Sequence, residues 1–334
     1  MRLSRYHNGS RIRSRCVEGH SRSSTCAATN LDVRVGLTLG RGTAPTTKAL
    51  GRELAEDERS VVESEPPSAP TMYLGMDGTG IPMRSSELEG REGKQPDGSA
   101  KTREVKLVTV WTAEALDEKE GIPVRDEDSI SYSAAIESAA TRDTDETPSE
   151  FAQRVDREAR RRGFDQATRR VVLADGGKWI WNLADERFPD AVQILDLFHA
   201  KGHLWDVAKA IYGAGSALGE QWAKRRRDEL DDGNLDAILE ALRVHADANK
   251  EARNCVDYIT THRNRMRYPD FRAQGFCVST GVVEAGCKTA VGTRCKRAGM
   301  HWSVPGANAI IALRCCKLSG RFEDFWERRS RASG

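Results

Sequence analysis

The chain has 334 residues, is 38% hydrophobic and 31% charged, and carries a formal net charge of +2. This length is enough for about two domains, and the composition is typical of a folded but polar protein. No stretch approaches the roughly 18 consecutive apolar residues of a membrane span. The eight scattered cysteines include no Cys-x-x-Cys pair, which argues against a zinc ribbon and favours reduced, mostly buried thiols in a cytoplasmic protein.

Residues 1–45 are predicted to be a disordered or unrelated N-terminal arm. Six of the first 25 residues are arginine and only Glu18 is acidic, and no secretory signal is recognisable. Residues 46–70 are predicted to form a short charged helix at Lys48–Val62, followed by the stiff linker Glu65-Pro-Pro-Ser-Ala-Pro70.

The folded part is predicted to begin at about Thr71 with an apolar strand that Asp77-Gly-Thr-Gly80 interrupts. Val105–Thr112 alternates apolar and polar residues and indicates a second strand. Ile130–Ala140 fits either a strand or a helix, and we favour a helix. Thr147-Pro-Ser-Glu150 is typical of a helix start with Thr147 as the N-cap and Pro148 in the first position.

Strands and helices then alternate along the chain. Val171–Ala174 is predicted to be a buried strand, Lys178–Glu186 a helix and Ala191–Leu197 another strand. This alternation predicts an α/β protein with a mixed or parallel sheet and flanking helices. Residues 203–267 show apolar residues at helical spacing and no strand candidate, which predicts an all-helical insertion. The last clear helix is predicted at Pro305–Leu318, with Ser303 as its N-cap.

Two acids each precede a glycine turn after an apolar strand. Asp77 is followed by Gly78, and Asp175 by Gly176 and Gly177. A single Asp-Gly pair is more often turn chemistry than a site. Two Asp-Gly pairs at strand ends in one domain favour a paired site, because neighbouring strands lie about 5 Å apart. Two carboxylates at such a distance need a neutralising cation. Hard cations such as Mg²⁺, or Mn²⁺ in its place, suit such oxygen ligands.

Other candidates are weaker when taken singly. Glu284 is a lone acid in a small and apolar stretch, and the residues alone do not distinguish it from Glu240 or Glu251. Asp196 and His199 have a spacing that suits a metal, but a histidine bonded within the fold explains them equally well. From Ala285 onward ten lysines and arginines face three acids, which suits either a phosphate partner or a solvated surface.

Four stretches resemble one family, the DDE transposases of bacterial insertion sequences, in particular the Kra-type group related to Mutator-like transposases. The first stretch contains Asp77, and the last joins Asp196 to His199 and His203. The stretches are Tyr73-Leu-Gly-Met-Asp77-Gly-Thr-Gly-Ile-Pro-Met-Arg84, Gly93-Lys-Gln-Pro-Asp-Gly-Ser-Ala-Lys-Thr-Arg-Glu-Val-Lys106, Asp145-Glu-Thr-Pro-Ser-Glu-Phe-Ala152 and Asp196-Leu-Phe-His-Ala-Lys-Gly-His203.

The resemblance implies a ribonuclease-H-like core at residues 71–202 and 268–330, with the helical insertion at 203–267 between the second and third acids. It implies Asp77, Asp175 and Glu284 as catalytic metal ligands. Asp196 and His199 match an accessory motif, and His199 is a further catalytic candidate. The basic residues after the third acid are implied to bind DNA; they are Lys288, Arg294, Lys296 and Arg297.

The function implied is metal-dependent cleavage and strand transfer at insertion-sequence ends. The expected partners are double-stranded DNA, as inverted terminal repeats and target, and a second copy of the chain on the DNA. No membrane partner is expected, and the location would be the bacterial cytoplasm, at the nucleoid. Residues 1–45 do not resemble the DNA-recognition region of relatives. An inactive, truncated DNA-binding remnant is therefore an alternative, as is a metal-dependent nuclease without strand transfer.

Overall fold

The computed structural model describes residues 44–60, 66–93, 95–96, 98–117, 121–140, 147–279 and 281–332. Of the arm predicted at 1–45, only residues 44 and 45 are among those described. The first residue of the predicted linker, Glu65, also lies outside the described residues. The helix predicted at Lys48–Val62 is present as α1, Ala44–Ser60. From Thr46 onward the chain is one compact unit.

A five-stranded mixed sheet forms the centre of the fold, in the order β5-β2-β1-β6-β7. The strands β1, β2 and β5 pair antiparallel, whereas β6 and β7 run parallel to β1. A separate small hairpin consists of β3 (Ala115–Leu116) and β4 (Pro123–Val124). The five sheet strands are β1 (Thr71–Pro82), β2 (Thr102–Thr112), β5 (Ser131–Ala135), β6 (Arg169–Ala174) and β7 (Val192–Leu195).

Helices flank this sheet. The helix α2 (Glu150–Arg161) packs against β2 and β5, and α3 (Lys178–Arg187) connects β6 to β7. The predicted strand–helix–strand alternation is therefore confirmed. The mixed α/β architecture is compatible with the predicted ribonuclease-H-like fold.

Three local predictions were wrong. Residues 131–135 form β5 and not a helix, because they pair with β2 and are covered by α2 and the helix Val304–Leu318, so that all five are buried. The helix α2 begins two residues later than predicted, and Ser149 rather than Thr147 caps it by accepting a hydrogen bond from the Ala152 amide. The strand β1 does not stop at Asp77, because β2 continues to pair with it from Asp77↔Leu107 to Pro82↔Thr102.

The region after the sheet is helical over a longer span than predicted. Residues 197–279 contain helices and no strand, whereas the helical insertion was predicted at 203–267. The division into core and insertion stays a prediction. The five helices are α4 (Leu197–Tyr212), α5 (Ala217–Asp231), α6 (Leu235–Ala246), α7 (Lys250–His262) and α8 (Tyr268–Ala273).

The C-terminal part returns to the sheet. The helix α9 (Gly281–Gly286) continues as a π-helical turn, Cys287–Gly292, and as the short α10 (Thr293–Cys295). The last two helices are α11 (Val304–Leu318) and α12 (Phe322–Ala332). The predicted cap is confirmed, since the Ser303 side chain accepts a hydrogen bond from the Gly306 amide.

Several arginines of the basic C-terminal region form ion pairs or hydrogen bonds with other parts of the chain. Arg321 pairs with the buried Glu158, Arg328 with Asp57 and Arg329 with Glu53. Arg314 donates to the backbone oxygens of Thr289 and Ala290. Part of the positive excess seen in the sequence is therefore paired within the chain, Arg321 with a buried acid and Arg329 at the surface.

The described residues include six cysteines and a set of helices whose length and polarity can be compared with a membrane span. All six cysteines in this part of the chain are free thiols, and five of them are buried. None of the helices described is both long enough and apolar enough to cross a membrane.

Candidate active site

A cavity of about 560 Å³ opens beside the middle of β1, at Asp77, and the carboxyl end of β6. Its described lining carries five carboxylates and two imidazoles but no lysine or arginine. Because the charge is so one-sided, the cavity favours cations and repels an unaccompanied phosphate. Its ionisable lining residues are Asp77, Asp175, Asp196, His199, His203, Asp206 and Glu284.

The register of the sheet places the first two predicted acids at the same level. Leu74 of β1 is the partner of Val172 of β6 in a parallel pair. Asp77 and Asp175 each lie three residues further along the chain, so they stand at the same level of the sheet, Asp77 within β1 and Asp175 just after β6. Asp77 accepts a 2.6 Å hydrogen bond from the Gly78 amide, and Asp175 accepts a 2.9 Å bond from the Gly177 amide.

Asp77 is held where its negative charge is costly. Burial raises the pKa of the Asp77 carboxyl, and the charge of Asp175 raises it further. Hydrogen bonds from the Cys287 thiol and the Gly78 amide act in the opposite direction without cancelling the rise. A proton or a metal cation is therefore stabilised at this position.

The third predicted acid reaches the cavity because α9 lies unusually close to the sheet. A Cβ atom on Gly75 of β1 would stand 2.3 Å from Cγ2 of Val283 and 3.1 Å from the backbone oxygen of Leu173. Only glycine leaves room for this contact. Glu284 follows Val283, is exposed, and lines the same cavity as Asp77.

Gly75→Ala is expected to lower the free energy of unfolding by about 1–3 kcal/mol, because the added methyl group overlaps Val283. It should also displace Glu284 from the cavity. Urea denaturation provides the measurement. Gly202→Ala is the control, since a Cβ there meets no described atom within 4 Å and alanine favours the helix. Equal stability of Gly75→Ala and the original protein would contradict the packing argument.

Asp196 and His199 are joined at the start of α4. The Asp196 carboxylate caps this helix by accepting a 2.6 Å hydrogen bond from the His199 amide, and the Asp196 amide donates to the Ala174 oxygen. Asp196 is buried, whereas the His199 ring is exposed. The motif therefore has a structural task, which is to attach α4 to the end of β6, and it also contributes both side chains to the cavity lining.

The predicted DNA-binding residues differ in their availability. Lys296 is exposed and donates a 2.5 Å hydrogen bond to the Thr79 hydroxyl, two residues beyond Asp77. Lys288 and Arg297 are also exposed. Arg294 instead lies over the Trp302 ring, 5.1 Å from its centroid, so its guanidinium already has an aromatic partner within the fold.

Three residues that the sequence did not single out adjoin the predicted acids. Cys287 bonds Asp77 and lies three residues after Glu284 on a continuous helical segment, a spacing that signals a shared face. Asp206 lies seven residues after His199 on α4, which is again a shared face. Tyr258 of α7 contacts Gly176, where a Cβ atom would stand 2.3 Å from its ring, and no local pattern indicates this contact.

No protein-family model and no curated protein matches the chain. A solved structure described as "Drosophila P element transposase strand transfer complex" is 10% identical, with a TM-score of 0.26, over 94% of this chain and 82% of that chain. A TM-score this low does not establish a common fold. The family resemblance drawn from the motifs therefore stays a prediction, and the function has to be inferred from the residues of the cavity.

The donor chemistry of the cavity fits a hard divalent cation. Among the described side chains, no three histidine, cysteine or acidic groups stand close enough to hold one ion. Mg²⁺ in proteins commonly uses one or two carboxylates and completes its shell with water and substrate phosphates. Asp77 and Asp175 can supply those carboxylates, and a bound cation would relieve the electrostatic repulsion between them.

Proposed function

We propose that the protein is a DDE-type DNA transposase that cleaves the ends of an insertion sequence and joins them to target DNA. The observation that carries this proposal is that Asp77, Asp175 and Glu284, which are far apart in the sequence, line one cavity. The mixed sheet, which places Asp77 of β1 level with Asp175 just after β6, supports the same conclusion. An acid-lined cavity admits a phosphodiester only when cations accompany it.

Asp77 and Asp175 would hold Mg²⁺, with Mn²⁺ able to substitute, and Glu284 would complete the set when DNA is bound. A metal ion held there would lower the pKa of an attacking water and would stabilise the leaving oxygen. The chain itself fixes the two aspartates through the Gly78 and Gly177 amides. The exposed His199 at the cavity wall is proposed to orient the scissile phosphate.

Lys288, Lys296 and Arg297 are proposed to bind the phosphates that flank the scissile bond. All three are exposed, and the Lys296 ammonium bonds Thr79 on the same strand as Asp77. Because transposition acts on two DNA ends, we propose that at least two copies of the chain assemble on the DNA.

Replacing Lys296 or Arg297 with alanine is expected to weaken DNA binding about equally for all sequences, and to reduce the slope of log affinity against log salt by about 1 per residue. Fluorescence anisotropy over a salt series measures both effects. Lys224→Ala is a matched control, because Lys224 is exposed but pairs with Asp228 on the helix α5. A salt slope unchanged in both variants would exclude these residues from the DNA contact.

The function is tested with a plasmid that carries the coding sequence together with its flanking DNA. Incubation with the protein and Mg²⁺ should give cleavage at the ends of the element and joining to a second plasmid. Cleavage without joining would indicate a nuclease. Binding without cleavage, with Mn²⁺ also present, would indicate an inactive remnant. Each of these two outcomes would overturn the proposal.

A further inference from the structure

Two histidines of α4 direct the same ring nitrogen toward each other. The Nε2 atoms of His199 and His203 are 3.2 Å apart, and the ring centroids are 4.9 Å apart with the planes at 83°. The residues are four positions apart on the helix, so their side chains share one face. Both rings line the acidic cavity.

We propose that His199 and His203 form a chelating site for a transition-metal ion such as Zn²⁺, separate from the Asp77–Asp175 pair. Two imidazole nitrogens bound to one tetrahedral zinc at 2.0–2.1 Å are about 3.3–3.4 Å apart, close to the separation found here. Imidazole suits zinc, copper and nickel and does not suit magnesium. The pair therefore selects a different class of ion from the carboxylates beside it.

The surroundings favour a cation at the pair. Asp206 lies three residues after His203 on the same helix, and its carboxylate lines the same cavity. The Tyr258 ring packs against the His203 ring, with centroids 4.2 Å apart. This contact fixes the His203 ring and lowers the cost of ordering it when an ion binds.

The site is open and incomplete by itself. Because no three described metal-ligating groups converge on one point, water or an oxygen of a bound substrate must fill the remaining positions. Such a site binds more weakly than a closed structural zinc site. It would accordingly exchange its ion readily, and it would allow the ion to contact a phosphate. The inference does not depend on the proposed transposase activity.

The test is a calorimetric titration of the full chain with Zn²⁺ in the presence of excess Mg²⁺. We expect one ion whose affinity falls at least about tenfold in His199→Ala and in His203→Ala. The Asp77→Asn/Asp175→Asn variant should retain this affinity. His245→Ala is the control for removing a histidine outside the proposed site. The His199→Ala/His203→Ala double variant measures how much zinc the cysteines bind.

A spectroscopic readout separates coordination from packing. The Nε2 signals of His199 and His203 in nitrogen NMR should shift together on adding Zn²⁺. Unchanged affinity in both histidine variants, or a loss of binding confined to the aspartate variant, would overturn the proposal. So would the absence of any bound zinc in the unaltered chain, in which case the two rings form only a hydrogen bond.

Discussion

Asp77→Asn and Asp175→Asn should each abolish metal-dependent DNA cleavage, with a loss of about 10³-fold or more. This corresponds to about 4 kcal/mol of transition-state stabilisation. Asparagine has nearly the shape of aspartate but cannot neutralise a divalent cation. DNA binding should persist, because Lys288, Lys296 and Arg297 lie outside the acid pair. The measurements are a cleavage assay with Mg²⁺ and an anisotropy assay of DNA binding on the same preparations.

Asp190→Asn is the matched control for loss of a carboxylate. The Asp190 side chain is 83% exposed and pairs only loosely with Arg170, at 3.7 Å, so full cleavage activity is expected. Normal cleavage by Asp77→Asn or by Asp175→Asn would refute the assignment of the acid pair. The proposed zinc site would be unaffected by that result, because it rests on His199 and His203.

Glu158→Gln is expected to destabilise the fold by about 3–5 kcal/mol, the cost of removing one partner from a buried ion pair. The Glu158 carboxylate is fully buried and accepts hydrogen bonds from Arg321, at 2.9 and 3.0 Å, and from Arg161, at 2.8 Å. Arg321 also donates to the Tyr132 oxygen of β5. The substitution would leave Arg321 without its counter-charge at the contact between α2, the sheet and the C-terminal helices.

The same carboxylate predicts a dependence of stability on pH. Burial alone would raise the pKa of Glu158, but the charges of Arg321 and Arg161 outweigh it and lower the pKa to about 2. In the unfolded chain the value is about 4.3. The stabilisation is therefore complete above about pH 4.3 and is lost as the pH falls toward 2, with a total on the order of 3 kcal/mol.

Urea denaturation at a series of pH values checks both statements. The unfolding free energy of the original protein should fall through this acid range more steeply than that of Glu158→Gln. Glu327→Gln serves as the control, because the Glu327 side chain is 69% exposed and makes only a 3.6 Å pair with Arg331 within α12. Parallel pH profiles for the original protein and Glu158→Gln would contradict the prediction.

Local signals were sufficient where short-range contacts decide the structure. The strand before Asp175, the helix after Gly177 and the Ser303 cap all follow from residues within one or two turns of chain. The strand β5 was missed because its residues are buried only by tertiary contacts, which are pairing with β2 and packing against α2 and α11. The continuation of β1 past Asp77 was missed for the same reason, since glycines favour a turn until a partner strand is present.

The sequence by itself determined the α/β alternation and the position of Asp175 at a strand end, because hydrophobic patterning and glycine turns act locally. It also supplied the motifs from which the catalytic roles are predicted. Only the tertiary structure decided that Asp77, Asp175 and Glu284 line one cavity. That convergence depends on the β1–β6 register and on the space left by Gly75 for α9. Both are contacts between residues about 100 or more positions apart, and no local pattern encodes them.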